Sequence, residues 1–169
     1  MSVLKIVKYP ASILKQRVSP VKNFNSELKN IVRDMFETMY AYNGIGLAAN
    51  QVGIELAIVL VDISKVEKNL MPLVLINPKI LSYSRQKKME EEGCLSFPGY
   101  YEKILRSKTV VVSYYDINGN KKEIRAEGLF ARVLQHEIDH INGITFIKRL
   151  PLNKRIRFHI LHSLGKYKF

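Results

Sequence analysis

One short motif constrains the fold of this chain more than any other feature. It is His136-Glu137-Ile138-Asp139-His140, an H-E-x-x-H sequence. Residues four apart on a helix lie on the same face, so a helix here brings both imidazoles within reach of one metal ion. The residues 129–141 around it have the apolar periodicity of a helix. Val133 shares the face of the two histidines, so these rings point toward the core, where buried polar groups need partners. We therefore predict a buried helix that binds a metal.

Two histidines are one ligand short of a catalytic metal site, which typically has three protein ligands and one open position. The remaining histidines, His159 and His162, lie in a basic C-terminal segment, and we interpret them as surface residues. Cys94 is the single cysteine; it lies in the segment 92–96, just before a Pro98-Gly99 turn. A free cysteine is also often a small buried apolar residue. The predicted metal ligands are Cys94, His136 and His140.

A third segment, Gly44-Ile45-Gly46-Leu47-Ala48-Ala49-Asn50-Gln51, is rich in small residues. It does not match the dinucleotide-binding pattern G-x-G-x-x-G, because Ala49 occupies the place of the last glycine and a helix precedes it. Small side chains would let an extended substrate lie against this segment, and Gln51 would donate a hydrogen bond into the site. The alternative is a tight loop that only the fold requires.

The chain of 169 residues predicts a single domain, 1–169, of the α+β class. Ser26 is predicted to cap an amphipathic helix that ends at Asn43-Gly44. Asn118-Gly119 predicts a hairpin with a two-residue turn. Strands are predicted at 55–63, 73–76, 109–117, 121–127 and 144–147. These antiparallel strands would pack around the central metal-binding helix, with one helix at the N-terminus and one at the C-terminus.

Charge is concentrated at the C-terminus. Lys and Arg number 27 against 15 Asp and Glu, and residues 148–169 contain basic side chains but no acidic ones. A helix is predicted at about 152–164, and its apolar stripe is expected to pack on the domain. That stripe consists of Ile156, Ile160 and Leu164. The basic face would attract a polyanionic partner, or would only be a solvated surface.

Cysteine usage and the N-terminus bear on the compartment. One cysteine excludes an intramolecular disulfide framework and fits a reducing environment. The N-terminal residues contain lysines where a secretory signal needs an apolar core, and no segment is apolar enough to span a membrane. We therefore expect a cytoplasmic protein with no membrane association and no disulfide partner.

The segments 44–51, 92–96 and 135–143 resemble, in order and spacing, the three signature motifs of the peptide deformylases. The resemblance implies an enzyme that hydrolyses the N-formyl group from the initiator methionine of nascent polypeptides and releases formate. It also implies Fe²⁺ as the native metal, although the ligand set also suits Zn²⁺, Ni²⁺ or Co²⁺. Many relatives have an arginine shortly after the cysteine motif. This chain has Gly99-Tyr100-Tyr101 there, which bears on how the substrate's second and third residues are held.

The resemblance also implies roles for the catalytic residues. The metal would lower the pKa of a water molecule, and Glu137 would take its proton and deliver it to the leaving amine. The Gln51 side chain and the Leu95 backbone N–H would donate hydrogen bonds to the oxyanion. Arg106 would lie between Glu92 and Asp139 and orient the cysteine loop and the helix together.

Substrate contacts follow from the same resemblance. Ile45 and Gly46 would pair with the substrate main chain as an added strand does. The methionine side chain would enter an apolar slot lined by Ile45, Leu129 and Val133. Bacterial relatives dock on the ribosome through a C-terminal helix, so a ribosome contact is expected through the basic helix at 152–164.

Two other functions remain open from the residues alone. A zinc endopeptidase of the H-E-x-x-H type would cleave internal peptide bonds and take a third His or Glu ligand. A non-catalytic RNA- or ribosome-binding protein would use the basic C-terminus and bind a purely structural metal, but the chain has no aromatic RNA-reading motif.

Overall fold

The computed structural model describes residues 2–169, and within them it contains three α-helices and seven strands. Their bounds, in chain order, are α1 (Ser26–Ala41), β1 (Gly46–Ala48), β2 (Ile58–Val61), β3 (Leu73–Tyr83), β4 (Lys87–Gly93), β5 (Tyr101–Ser107), β6 (Thr109–Tyr115), β7 (Lys121–Glu127), α2 (Gly128–Ile141) and α3 (Leu152–Ser163). One sheet has the strand order β1-β2-β3-β6-β7, and β4 pairs with β5 in a second sheet. All pairings between these seven strands are antiparallel, so the predicted α+β class is confirmed.

Strand β2 lies at the centre of the core because both of its faces are buried. Ile58 and Leu60 pack in one apolar cluster with Leu28, Val32, Met35 and Met39 of α1. Val59 and Val61 pack in another cluster with Val133, Leu134, Ile138 and Ile141 of α2. Since successive side chains of a strand point to opposite faces, the larger sheet is enclosed by α1 on one side and α2 on the other.

The ends of α1 differ slightly from the prediction. Asn25, not Ser26, is the N-cap, and its side-chain oxygen accepts the Leu28 N–H at 3.1 Å. Both residue types cap helices well, so only the side-chain geometry distinguishes them. After the helix ends at Ala41, Asn43 has a φ of 55°, a left-handed conformation that asparagine tolerates.

The hairpin between β6 and β7 is present, but the predicted two-residue turn is wrong. The Asp116 N–H donates to the Asn120 carbonyl at 2.9 Å, and Gly119 has a φ of +85°, so the connection is longer. Asp116 Oδ1 also accepts the backbone N–H groups of Asn118 and Asn120, both at 2.9 Å. This aspartate side chain therefore stabilises a wider turn than Asn118-Gly119 alone indicated.

Other elements depart from the sequence prediction. The strand predicted at 144–147 is wrong, because Phe146–Arg149 form a 3₁₀ turn. Strands β1, β4 and β5 were not predicted. Strand β4 has the sequence KKMEEEG, which is charged rather than apolar. Strand β3 continues beyond the predicted 73–76, through a register shift after Ile76.

Helix α3 packs on the domain through a different face from the predicted one. The apolar stripe is exposed, with 50% of Ile156, 53% of Ile160 and 67% of Leu164 accessible, so the expectation that it packs on the domain is wrong. Phe158 is buried instead. It lies in an aromatic cluster, defined here as Tyr9, Phe97, Tyr100, Phe146, Phe158, Tyr167 and Phe169.

The two C-terminal histidines also differ from each other. His159 is exposed, as predicted, whereas His162 is partly buried and stacks on Phe158. Its ring also meets Tyr9 edge-on.

Within residues 2–169, none of the helices combines the length and apolarity that crossing a membrane requires.

Candidate active site

The three predicted metal ligands converge on one point. Cys94 follows β4, and His136 and His140 lie one turn apart on α2. Cys94 Sγ is 3.2 Å from His140 Nε2, and the two Nε2 atoms are 3.2 Å apart. Ligands bound tetrahedrally at zinc-like distances lie about 3.3–3.6 Å from each other. The thiol and the two imidazoles therefore fit a single metal ion.

A carboxylate fixes the orientation of the first histidine. Glu92 Oε2 accepts a hydrogen bond from His136 Nδ1 at 2.9 Å, so the proton lies on Nδ1 and Nε2 is available as a ligand atom. Burial alone would raise the pKa of Glu92, but hydrogen bonds from His136 and Arg106 outweigh it and hold this pKa well below its usual range. Glu92 is therefore a charged acceptor inside the protein.

Arg106 is buried between the two carboxylates expected from the resemblance. Its Nε and Nη2 donate to the two oxygens of Glu92 at 2.9 and 3.0 Å, and Nη1 donates to Asp139 Oδ2. Asp139 also accepts from Arg149 Nε at 2.9 Å. The guanidinium thus joins β4 and β5 to α2, and the expected position of Arg106 is confirmed.

Arg132 is a buried residue of the same network that the sequence analysis missed. Its Nη1 donates to Glu92 Oε1 at 2.6 Å and its Nε to Glu90 Oε2 at 3.0 Å. It also donates to the carbonyls of Lys88 and Ile104, at 2.8 and 3.0 Å. A signal was present: Arg132 lies one turn before His136 on the buried face, and such a charge needs acidic partners.

Glu137 lies beside the three ligands with one oxygen free. It is buried, and its Oε2 has no hydrogen-bond partner among the described residues. Burial raises its pKa to about 7. A Cβ at Gly46 would come within 2.5 Å of Glu137 Oε1 and 2.8 Å of Val133 Cγ1. Only a glycine at position 46 therefore allows β1 to approach α2 so closely.

Gln51 directs its amide nitrogen into the site. Its Oε1 accepts the Ala48 N–H at 2.8 Å, which fixes the orientation of the amide. Its Nε2 then lies 3.4 Å from both Cys94 Sγ and Ser96 Oγ. Leu95 is half-buried and lines the same cavity as Gln51. The two predicted oxyanion donors therefore lie around one space.

Strand β1 is an edge strand, and its residues alternate in direction. The Ile45 carbonyl accepts the Asp62 N–H at 2.9 Å, so this peptide group points toward β2. Gly46 lies opposite Val61 in the register, and its own N–H and carbonyl face the open edge. The Ile45 carbonyl thus already has a partner within the sheet, while the main-chain groups of Gly46 lie on the open edge.

Two adjoining cavities surround these groups. The larger has a volume of about 830 Å³ and is lined by Gln51, Cys94, Leu95, His136 and Glu137, among others. The smaller measures about 130 Å³, and its walls include all three residues predicted for the methionine slot. Those residues are Ile45, Leu129 and Val133.

The two tyrosines that replace the arginine region of many relatives have different positions. Tyr100 is buried in the aromatic cluster, where its ring packs against Phe158 and Tyr167. Tyr101 is exposed and lines the larger cavity. Of the two, Tyr101 therefore borders the space available to a substrate.

Comparisons with known proteins agree with this geometry. Residues 3–155 match the family model described as polypeptide deformylase. The chain is 45% identical to a peptide deformylase of Endomicrobium trichonymphae over 155 residues, covering 92% of this chain and 90% of that protein. The crystal structure of the peptide deformylase from Ehrlichia chaffeensis in complex with actinonin is similar with a TM-score of 0.89 and 42% identity, over 100% of both chains. That from Thermotoga maritima has a TM-score of 0.84 and 40% identity, over 89% of this chain and 99% of that one.

Proposed function

The chain belongs to the polypeptide deformylase family, and from this premise we propose how its own residues carry out the reaction. The protein is a metal-dependent hydrolase that removes the N-formyl group from nascent polypeptides. One observation supports the assignment of residues most strongly: Cys94, His136 and His140 converge beside Glu137, whose buried Oε2 has no hydrogen-bond partner within residues 2–169.

Cys94, His136 and His140 would hold the metal ion. When bound, the ion supplies Lewis-acid chemistry at the formyl group. We propose Fe²⁺ as the native ion, while a thiolate with two imidazoles also suits Zn²⁺, Ni²⁺ or Co²⁺. With iron, Cys94 would be the residue at risk from oxygen, because a thiolate oxidises readily.

Glu137 moves the proton. Its free Oε2 accepts a proton from the attacking water and later delivers it to the leaving amine, as a general base and then a general acid. Because position 46 is a glycine, β1 lies directly against this carboxylate, which brings the substrate-pairing edge of the strand close to it. The Gln51 side-chain amide and the Leu95 N–H donate hydrogen bonds to the developing oxyanion.

The substrate binds as an added strand. Its main chain pairs with the open-edge groups of Gly46, and its methionine side chain enters the smaller cavity against Ile45, Leu129 and Val133. The apolar side of this cavity, formed by Ile45, Leu129 and Val133, and its limited volume would favour methionine over a charged or branched side chain. We propose that the whole chain, 1–169, acts as one catalytic domain in the cytoplasm.

Helix α3 supports a proposed ribosome contact. Its outward side presents Ile156 and Ile160, and Leu164 follows as the exposed C-cap residue. The segment 148–169 is basic without an acidic residue. A basic surface is attracted to ribosomal RNA, and this attraction weakens as salt rises because counterions are released on binding.

Formate release tests the reaction. Protein purified without oxygen is given formyl-Met-Ala-Ser, with and without a chelator, and formate is measured. We expect release that the chelator abolishes and that added Fe²⁺ restores. Cleavage of an unformylated peptide at an internal bond, without formate release from the formyl peptide, would instead indicate an endopeptidase.

A further inference from the structure

We infer that this deformylase prefers nascent chains with acidic side chains just after the methionine, because Lys5 and Lys8 line the large cavity and neither forms an ion pair among residues 2–169. The inference rests on the proposed function and concerns the part of the substrate that extends beyond the methionine slot. It assigns a role in specificity to an N-terminal segment that none of the three signature motifs includes.

The two lysines are held in place relative to the reaction centre. The Val7 N–H donates to the Gln51 carbonyl at 2.7 Å, and the Tyr9 N–H donates to the Ser96 carbonyl at 3.0 Å. The side chains of Ile6 and Tyr9 are buried, which anchors this segment to the core. Lys5 and Lys8 are exposed between these anchors and line the same cavity as Gln51. Their backbone positions are therefore set by the residues that surround the reacting group.

The charges around this cavity are unbalanced. Among the residues that the structure describes, neither Lys5 nor Lys8 forms an ion pair. Glu137 is the one acidic residue among the described ones that line the cavity, and it is buried beside the metal ligands. Lys5 and Lys8 are thus exposed cations at the wall of this cavity, and a carboxylate of a bound substrate would be an opposite charge within their reach.

The available space determines which substrate residues meet the lysines. The methionine side chain occupies the smaller cavity, of about 130 Å³, and the main chain lies along the edge of β1. An extended chain advances about 3.3 Å per residue, so the residues after methionine pass through the larger cavity. Lys5 and Lys8 would attract an aspartate or glutamate at these substrate positions, and they would repel a lysine at the same position.

A set of amidated peptides tests the preference. Formyl-Met-Ala-Ala-Ala-amide is the neutral reference, and Asp or Lys replaces each alanine in turn; amidation removes the terminal carboxylate. For the most responsive position we expect kcat/KM for the Asp peptide to exceed that for the Lys peptide by about three- to tenfold at low salt, the size expected for partly exposed charge pairs. The ratio should shrink at high salt.

Three double variants separate a local effect from the general positive charge. In Lys5→Glu/Lys8→Glu the order of the Asp and Lys peptides should reverse. In the control, Lys29→Glu/Lys121→Glu, the net charge changes equally but both positions lie outside the cavity, so the preference for Asp should remain. Lys5→Met/Lys8→Met keeps most of each apolar stem and should remove the preference without reversing it. Melting temperatures show whether each variant is folded.

The inference would be overturned if the Asp-to-Lys ratio of kcat/KM were equal in Lys5→Glu/Lys8→Glu and in the control Lys29→Glu/Lys121→Glu. A ratio of one in the wild-type protein would also overturn it. If the neutral peptide releases no formate, the proposed function fails, and the inference fails with it. If the neutral peptide is hydrolysed normally but the ratios are unresponsive, only the role of the lysines is wrong.

Discussion

Helices α2 and α3 are attached to the protein in opposite ways. Helix α2 is buried on nearly every side, and ion pairs connect its Arg132 and Asp139 to β4 and β5. Helix α3 has one buried residue, Phe158, and an apolar stripe that faces outward. The difference indicates that a charged network fixes the helix that carries the chemistry, while aromatic packing attaches the helix that is available for other contacts.

The largest effect is expected inside α2. Glu137→Gln should retain the metal and the fold but lower kcat by about 10³-fold, because an amide cannot accept the proton. Steady-state kinetics and metal analysis of the purified variant measure both quantities. Glu123→Gln on β7 is the matched control and should behave like the wild type. A variant that is metal-replete and fully active would remove Glu137 from the mechanism.

The charged network gives the next effect. Arg106→Met leaves the carboxylates of Glu92 and Asp139 buried without this partner, and removing one member of such a buried group costs about 3–5 kcal/mol of unfolding free energy. Urea denaturation measures it. Arg125→Met breaks a surface pair with Glu127 and should leave the midpoint unchanged. Equal midpoints for the two variants would show that the buried network does not stabilise α2.

Aromatic packing should account for most of the attachment of α3. Phe158→Ala empties a fully buried site among Tyr9, Phe97 and Tyr100, and such truncations cost about 3 kcal/mol or more. Thermal denaturation should therefore show a lower melting temperature. Ile156→Ala on the outward side is the control, with little change expected. If both substitutions were neutral, the aromatic cluster would not hold the helix.

Gln51→Leu tests the amide at the centre of the site. If its Nε2 donates to the oxyanion, kcat should fall by about 10²-fold with a smaller change in KM. The Ala48 N–H also loses its acceptor, so a stability measurement must accompany the kinetics. A change confined to KM would make Gln51 a ground-state contact instead.

The smallest effect on the enzyme itself is expected from the outward side of α3. Ile156→Ser/Ile160→Ser should leave the melting temperature and formyl-peptide turnover nearly unchanged while it reduces ribosome co-sedimentation. Sedimentation equal to that of the wild-type protein, at two salt concentrations, would exclude the apolar stripe from the proposed ribosome contact. Deletion of residues 153–169 is a poorer test, because it also removes Phe158, Tyr167 and Phe169 from the aromatic cluster.

The parts of the molecule that the sequence predicted share a physical basis. The position of His136 and His140 follows from helical periodicity, and the thiol of Cys94 is unique in the chain. Strand β4 escaped prediction because its inward residues, Glu90 and Glu92, are acidic and pair with Arg132 of α2. In β5 a buried arginine, Arg106, likewise interrupts the apolar pattern. Pattern rules that search for alternating apolar residues do not detect a strand of this kind.

For a related reason, the sequence pattern predicted the wrong buried face of α3. Ile156 and Ile160 have the spacing of a core stripe, but a stripe is buried only if another element covers it, and the sequence does not say which elements are neighbours. Phe158 has no helical apolar repeat of its own. Its partners Tyr9 and Phe97 come from distant parts of the chain, so their contact with Phe158 depends on the tertiary fold.

The arginine-carboxylate network has a consequence for how the site acquires its ion. Cys94 and His140 are 46 residues apart in the chain, and in an unfolded polypeptide their effective concentration toward each other would be low. Arg106 and Arg132 hold β4 against α2, so the thiol and the two imidazoles already lie close together as a tridentate metal site. Folding thus already carries the entropic cost of bringing the metal ligands together. A metal ion can then bind or leave without unfolding of the protein around it.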